Sequence, residues 1–198
     1  MFVILLIPIG IAINFVGAQI THALKLPVYL DVIGTVLVGA LCGPFFGAIA
    51  GGLTNVVTSI TAPTELPYAI VSMAVGIVAG FAGKKNQFKS VKGTIITGIF
   101  VWAIVLVTVT PITALVYGGA TGVTGGSAIT TFLIATGKGL WTSVFSSALI
   151  TETLDKFISV FVVYYILKSI PKRTVLKFPL GKTYLGEEAQ ATDTNTEW

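Results

Sequence analysis

The sequence predicts an all-α integral membrane protein with six transmembrane helices and both termini in the cytoplasm. Its 198 residues include 12 basic and 8 acidic side chains, so 10% of the chain is charged, against roughly 25% in an ordinary soluble domain. Apolar residues make up 54% of the chain. This composition excludes a soluble enzyme, a nucleic-acid-binding module and a disordered chain. The apolar runs suit helices that cross a bilayer, each of which needs about 20 residues.

The first half of the chain predicts three spans. The second apolar stretch, 28–60, is too long for one span at a rise of about 1.5 Å per residue. Gly43-Pro44 divides it, because proline suits the first turn of a helix and ends the helix before it. The three predicted spans are Met1–Thr21, Tyr29–Cys42 and Pro44–Ser59.

The second half predicts three further spans, separated by polar segments. Glycine, threonine and serine are frequent in 117–138, which predicts a loop with a short re-entrant or interfacial helix. After Pro171 the chain becomes polar, which predicts a frayed end. We therefore divide the chain into a transmembrane domain, 1–173, and a polar cytoplasmic tail, 174–198. The three predicted spans are Pro67–Ala82, Gly93–Val116 and Leu140–Lys168.

Basic residues predict the orientation of the bundle. Four follow the fourth span and five follow the sixth, and since two spans separate the groups, both groups lie on one side. The positive-inside rule places that side in the cytoplasm. Three outer loops follow, over 22–27, 61–66 and 117–139. The two basic groups are Lys84, Lys85, Lys89 and Lys92, then Lys168, Lys172, Arg173, Lys177 and Lys182.

Glycines recur at four-residue spacing in the second, third and fourth spans. Small residues at this spacing let helix backbones approach closely, which is how helices associate in lipid. The spacing predicts packing inside the bundle, and the alternative is a surface that docks a separate membrane subunit. The two series are Gly39, Gly43, Gly47 and Gly51, then Gly76 and Gly80.

Three ionisable side chains lie in the middle of the sixth span. Each costs roughly 2.5–3.5 kcal/mol at mid-bilayer on insertion scales. Glu152 and Lys156 are four residues apart with the acid first, an order that favours an ion pair. Asp155 is adjacent to Lys156 and points about 100° away on a helix. We therefore predict that Asp155 pairs poorly with Lys156 and has another partner or faces water.

Polar and aromatic side chains near the outer ends of the spans form the candidate substrate-binding site. We place Asp31 about one turn into the second span, where the helix dipole alone also favours an acid. The rings are typical of interfacial belts as well as of binding sites. Ligand pockets combine an apolar, aromatic lining with a few polar groups. The candidate site residues are Asp31, Thr35, Asn55, Glu65, Tyr68, Lys138 and Trp141, with His22 nearby.

The motifs of catalysis are missing from the sequence. There is no phosphate-cradling GxxxxGK[ST] loop, and no serine stands in a GxSxG nucleophile elbow. His22 is the one histidine and Cys42 the one cysteine, which excludes an internal disulfide and a His- or Cys-rich metal site. We expect no enzyme activity, no cofactor, no metal and no nucleic-acid partner.

The stretch LPVYLDVIGT at 26–35, followed by GPFFG at 43–47 and Thr54-Asn55, resembles substrate-binding (S) components of energy-coupling factor (ECF) transporters. The length, the six spans and the missing ATPase motif fit the same family, over residues 1–173. Many members carry an Ala-xxx-Ala motif in the first span that docks the coupling subunit. Here the nearest equivalent is Gly10-xxx-Asn14-xxx-Ala18.

The resemblance implies uptake of a vitamin or related micronutrient across a bacterial cell membrane. The chain would capture the ligand from outside and associate with a transmembrane coupling subunit and two ATP-binding subunits. It looks closest to members assigned hydroxymethylpyrimidine or pyridoxine-like ligands, with pantothenate next. Two alternatives stay open. One is a self-sufficient secondary transporter or channel, which typically shows inverted repeats or broken helices, and the other is an intramembrane enzyme.

Overall fold

The computed structural model describes residues 2–122 and 124–186, and within them the chain is helical and without strands. This confirms the all-α prediction. Two short 3-10 helices, Pro63–Tyr68 and Gln87–Lys89, join longer elements. The α-helices of the described ranges are α1 Phe2–Ala23, α2 Ile33–Cys42, α3 Pro44–Thr58, α4 Ala69–Lys84, α5 Val91–Tyr117, α6 Gly125–Ala135, α7 Leu140–Ser169, α8 Lys172–Val175 and α9 Gly181–Leu185.

Three segments of the described chain are long and apolar enough to cross a membrane: Phe2–Ala23, Pro63–Lys84 and Val91–Tyr117. The helices α2 and α3 are shorter, with 10 and 15 residues. At about 1.5 Å per residue, α2 is roughly 15 Å long, half of the hydrocarbon core. The 30-residue α7 is long enough to cross but carries ionisable residues along its middle. The short α6 lies within 117–138, where a short helical piece was expected.

The glycines of α2 and α3 let these two helices and α4 pack backbone to backbone. The turn between α2 and α3 is made at Gly43, whose φ of +97° suits glycine. A Cβ built on Gly47 would lie 2.9 Å from Gly39 Cα and 2.5 Å from the Gly76 carbonyl oxygen in α4. One on Gly51 would lie 2.3 Å from the Ser72 carbonyl oxygen. The prediction of packing inside the bundle is therefore confirmed for these glycines.

Asn14 joins α1 to the α2–α3 hairpin. Its amide nitrogen donates to Thr35 Oγ1 at 2.8 Å and to Thr54 Oγ1 at 2.9 Å. Its Oδ1 accepts from the backbone N–H of Gly34 at 2.6 Å. Ala18, one turn along the same face, is also buried. The Gly10-xxx-Asn14-xxx-Ala18 face is thus covered by the protein's own helices.

The start of α2 differs from the prediction. A helix was expected over Tyr29–Cys42, but α2 begins at Ile33. Leu30 has a left-handed φ of +52°, and the backbone N–H groups of Tyr29 and Leu30 donate to Asp155 rather than to a helix. Asp31 therefore precedes α2 instead of lying one turn inside it.

The prediction of a frayed end after Pro171 is wrong for residues 172–186. The short helices α8 and α9 pack against the bundle, burying Val175 and Leu185 in the apolar core. The N–H of Leu180 donates to the carbonyl oxygen of Leu41 at 2.9 Å. Apolar residues interleaved with the lysines outweigh the polar composition of this stretch. Residues 187–198 of the predicted tail lie outside the described residues.

The two basic groups lie at the same end of the bundle. Lys89, from the group after α4, lines one cavity together with Lys168 and Lys172, from the group at the end of α7. The α2–α3 turn is at this end as well, because Gly43 lies beside the side chains of Lys84 and Leu180.

Candidate ligand-binding site

A cavity of about 710 Å³, counted out to its open mouth, lies at the other end of the bundle. The wall is formed by the connection between α1 and α2, the 3-10 helix Pro63–Tyr68, and helices α4 to α7. Its charged and aromatic lining residues are Tyr29, Asp31, Glu65, Tyr68, Glu152 and Lys156. The apolar ones are Val32, Val71, Val105, Val109, Val144 and Ala148, and the hydroxyl-bearing ones are Ser72, Thr113, Thr121, Thr124, Ser127, Thr130 and Ser147.

The three predicted outer loops contact one another around this cavity. His22 Nε2 lies 3.5 Å from Glu65 Oε1, which links the first loop to the second. Tyr117 donates its hydroxyl to the carbonyl oxygen of Thr64 at 2.7 Å, which links the second to the third. The N–H of Gly125 donates to the carbonyl oxygen of Leu26 at 3.2 Å, which links the third to the first.

Lys156 is the centre of a buried charged cluster in the cavity. Its Nζ lies 3.2 Å from Glu152 Oε2 and 3.6 Å from Asp31 Oδ1, so the predicted Glu152–Lys156 pair is confirmed. The prediction that Asp155 pairs poorly with Lys156 is wrong, because Lys156 donates directly to Asp155 Oδ2. The flexible four-carbon stem of lysine lets one ammonium reach both neighbours on the helix.

Asp155 also fixes the connection that carries Tyr29 and Asp31. Its Oδ1 accepts from the backbone N–H of Tyr29 at 2.9 Å and of Leu30 at 2.7 Å. The expected further partner of Asp155 is therefore the backbone of a segment far away in sequence. Lys156 Nζ in turn lies 5.6 Å from the centroid of the Tyr29 ring. One carboxylate on α7 thus sets the position of two residues of the cavity wall.

Tyr68 provides an aromatic part of the cavity wall. Its ring stacks on that of Tyr117, with centroids 5.8 Å apart and planes 16° apart. Its hydroxyl shares a hydrogen bond of 2.8 Å with Thr113 Oγ1. These two contacts hold the ring rigidly at the cavity surface.

The structure brings three of the seven candidate residues together in the cavity lining: Asp31, Glu65 and Tyr68. A fourth, Asn55, is buried behind the lining and donates its amide to the backbone carbonyl of Glu65 at 2.9 Å. It therefore supports the 3-10 helix that carries Glu65.

The other three candidates lie elsewhere. Thr35 is fully buried against Asn14, between α1 and α2. Lys138 is exposed, and Trp141 is 51% exposed, and neither belongs to the cavity lining. Lys138 belongs to the long third loop and Trp141 to the first turn of α7. The sequence alone does not show how far these segments lie from the cavity.

Sequence reasoning did not assign Tyr29, Glu152 and Lys156 to the site. The signal that could have identified Glu152 and Lys156 is the free-energy cost of ionisable groups at mid-bilayer. Their pairing with each other offsets only part of that cost. For Tyr29 the signal was its place next to Asp31 in the 26–35 stretch.

An apolar helical bundle with a cavity at one end, lined by polar and aromatic side chains, is the arrangement of a membrane-embedded binding protein. The family model described as "ECF transporter, substrate-specific component" matches residues 3–167, and the chain belongs to this family. Membership makes the chain a substrate-binding subunit of a transporter and not an enzyme. Searches of curated proteins and of solved structures gave no match.

Proposed function

We propose that this chain is the substrate-capture subunit of an ATP-driven importer of a vitamin or related micronutrient in a bacterial cell membrane. The observation that carries the proposal is the cavity, which combines aromatic, polar and apolar side chains in its lining and lies at the end of the bundle opposite the basic residues. A ligand arriving from outside would meet this end first.

The proposed topology has six spans and both termini in the cytoplasm. It is supported by the two basic groups, which share one end of the bundle, because the positive-inside rule assigns such an end to the cytoplasm. The short α2 and α3 count as two of the spans. Their hairpin begins beside the cavity, at Val32, and turns at the basic end, at Gly43.

The proposed partners are a transmembrane coupling subunit and two ATP-binding subunits. The family describes a substrate-specific component, and the sequence holds no phosphate-binding loop of its own. ATP hydrolysis would therefore be supplied by other chains. The Gly10-xxx-Asn14-xxx-Ala18 face is already buried inside the chain. The coupling subunit would therefore have to dock on another surface.

The proposed ligand is hydroxymethylpyrimidine-like or pyridoxine-like, with pantothenate as the second choice. The rings of Tyr29 and Tyr68 in the lining favour a flat aromatic ligand, since aromatic side chains pack well against other rings. We assign contacts to Asp31, Glu65 and Tyr68 and add Tyr29, Glu152 and Lys156. Asn55 and Thr35 would act by positioning, and the placement of Lys138 and Trp141 gives them no assigned contact.

Uptake into proteoliposomes tests this proposal. The chain is reconstituted alone, or with the coupling subunit and both ATPases, and radiolabelled pyridoxine, hydroxymethylpyrimidine and pantothenate are offered. We expect accumulation of one of them only with all four subunits and hydrolysable ATP, and none with a non-hydrolysable analogue. Sustained ATP-independent accumulation by the chain alone would instead favour a secondary transporter or channel.

A further inference from the structure

We propose that the cavity selects a cationic aromatic ligand, whose protonated amine is held by Glu152 and Asp31, and that it discriminates against a carboxylate at that position. This inference rests on the proposed function and narrows its ligand class.

The charges that line the cavity do not balance. Asp31, Glu65 and Glu152 face it with only Lys156 as a cation among the described lining residues. With all four side chains ionised, the lining holds three negative charges and one positive charge. The Lys156 ammonium also donates a hydrogen bond to Asp155, which is fully buried and lies outside the lining. It is therefore only partly available to neutralise the carboxylates of the lining.

Two of the acceptors are incompletely satisfied. Glu152 is only 3% exposed, yet its Oε2 accepts no hydrogen bond of ordinary geometry from the described residues. The same holds for Oδ1 of Asp31. A buried acceptor without a well-formed hydrogen bond is costly, and both atoms belong to side chains in the wall of an open cavity. Both atoms form an ion pair with the Lys156 ammonium, at 3.2 and 3.6 Å, but they share it with Asp155. A ligand that brings N–H donors and a second positive charge would complete their pairing.

The aromatic lining favours the same ligand. Tyr29 and Tyr68 line the cavity together with the two acids, and aromatic faces attract cations as well as rings. A ligand carboxylate would instead be repelled by the carboxylates of the lining. The nearest cation, Lys156, already has three carboxylates within 3.6 Å, and like charges placed together at low dielectric repel strongly.

Three pyridines with the same ring test the charge preference directly. Pyridoxamine carries an aminomethyl group at position 4, pyridoxine a hydroxymethyl group, and 4-pyridoxate a carboxylate. Titration calorimetry on the full chain in nanodiscs at pH 7 measures their affinities. We expect pyridoxamine to bind at least about tenfold more tightly than 4-pyridoxate, with pyridoxine between them.

Variants show whether the acids of the cavity cause the preference. Glu152→Gln and Asp31→Asn are each expected to bring the affinities of pyridoxamine and pyridoxine close to each other. Lys138→Gln changes an exposed charge outside the cavity and is expected to leave the preference unchanged. Thermal unfolding of each variant separates lost folding from lost selectivity.

The inference is overturned if 4-pyridoxate binds as tightly as pyridoxamine, if none of the three pyridines binds, or if both acid variants keep the full amine preference. The proposed function fails by a different result. ATP-dependent uptake of an anionic vitamin would refute the charge preference and leave the importer intact. Amine-selective binding without any ATP-dependent uptake would do the reverse.

Discussion

Replacing Asp155 by alanine removes the anchor that holds the α1–α2 connection against α7. Two backbone N–H groups, those of Tyr29 and Leu30, lose their acceptor, and Lys156 loses one of its three carboxylates. Leaving a buried donor unpaired costs about 1–3 kcal/mol. Two such donors, partly relieved by water entering from the cavity, give an expected loss of about 3 kcal/mol in the free energy of unfolding.

Asp155→Asn separates geometry from charge at the same site. The asparagine keeps a carbonyl oxygen for the two N–H groups but gives up the charge that faces Lys156. We expect a smaller loss, of about 1–2 kcal/mol. Because the connection carries Tyr29 and Asp31 into the cavity, ligand affinity should fall in both variants and further in the alanine variant.

Unfolding in mixed micelles with increasing SDS, followed by tryptophan fluorescence, measures both losses. Leu154→Ala is the matched control, because Leu154 neighbours Asp155 in sequence but is 50% exposed on the outer face of α7. The control should stay within about 0.5 kcal/mol of the unchanged chain. If Asp155→Ala were no more destabilising than Leu154→Ala, the anchoring role derived from these hydrogen bonds would be refuted.

Three further predictions concern packing and the aromatic wall. Gly76→Val should prevent folding, because even a Cβ there would lie 2.2 Å from the Gly47 carbonyl. The control Gly139→Ala lies in open space and should leave the yield of monodisperse protein unchanged. Equal yields of the two variants would speak against the packing. Asn14→Leu removes three hydrogen bonds and should cost about 2–4 kcal/mol in the same SDS titration, whereas no loss would show that the network is dispensable. Tyr68→Ala should weaken ligand binding at least about tenfold, measured by calorimetry. Tyr68→Phe keeps the stack on Tyr117 and should lose less affinity. Equal losses of affinity would show that the hydroxyl, and not the ring, is responsible.

The parts of the fold that follow from local chemistry were predictable from sequence. Gly43-Pro44 marks the α2–α3 turn because a positive φ at glycine and a proline at the first helical position are local preferences. The Glu152–Lys156 pair follows from helical spacing alone. The glycine series predicts close packing of backbones, and it occurs against Gly76.

What sequence could not supply depends on contacts between distant segments. The first residue of α2 is decided by Asp155, 125 residues from Leu30, and no local pattern carries that information. The same contact brings Tyr29 into the cavity wall. Trp141 was an attractive aromatic candidate, but the orientation of α7 leaves it 51% exposed. Burial of Val175 and Leu185 likewise depends on the bundle end against which they pack.

Filling the cavity tests most directly that it is the site of substrate capture. Ala148 lines the cavity and is 8% exposed, so Ala148→Trp would occupy ligand space, whereas Leu154→Trp adds the same side chain to the outer face of the same helix. Native mass spectrometry of the chain purified from cells compares bound small molecules in both variants and in the unchanged protein. We predict a ligand adduct in the unchanged protein and in Leu154→Trp that is absent in Ala148→Trp, with all three folded. The same adduct at the same occupancy in Ala148→Trp would contradict the account.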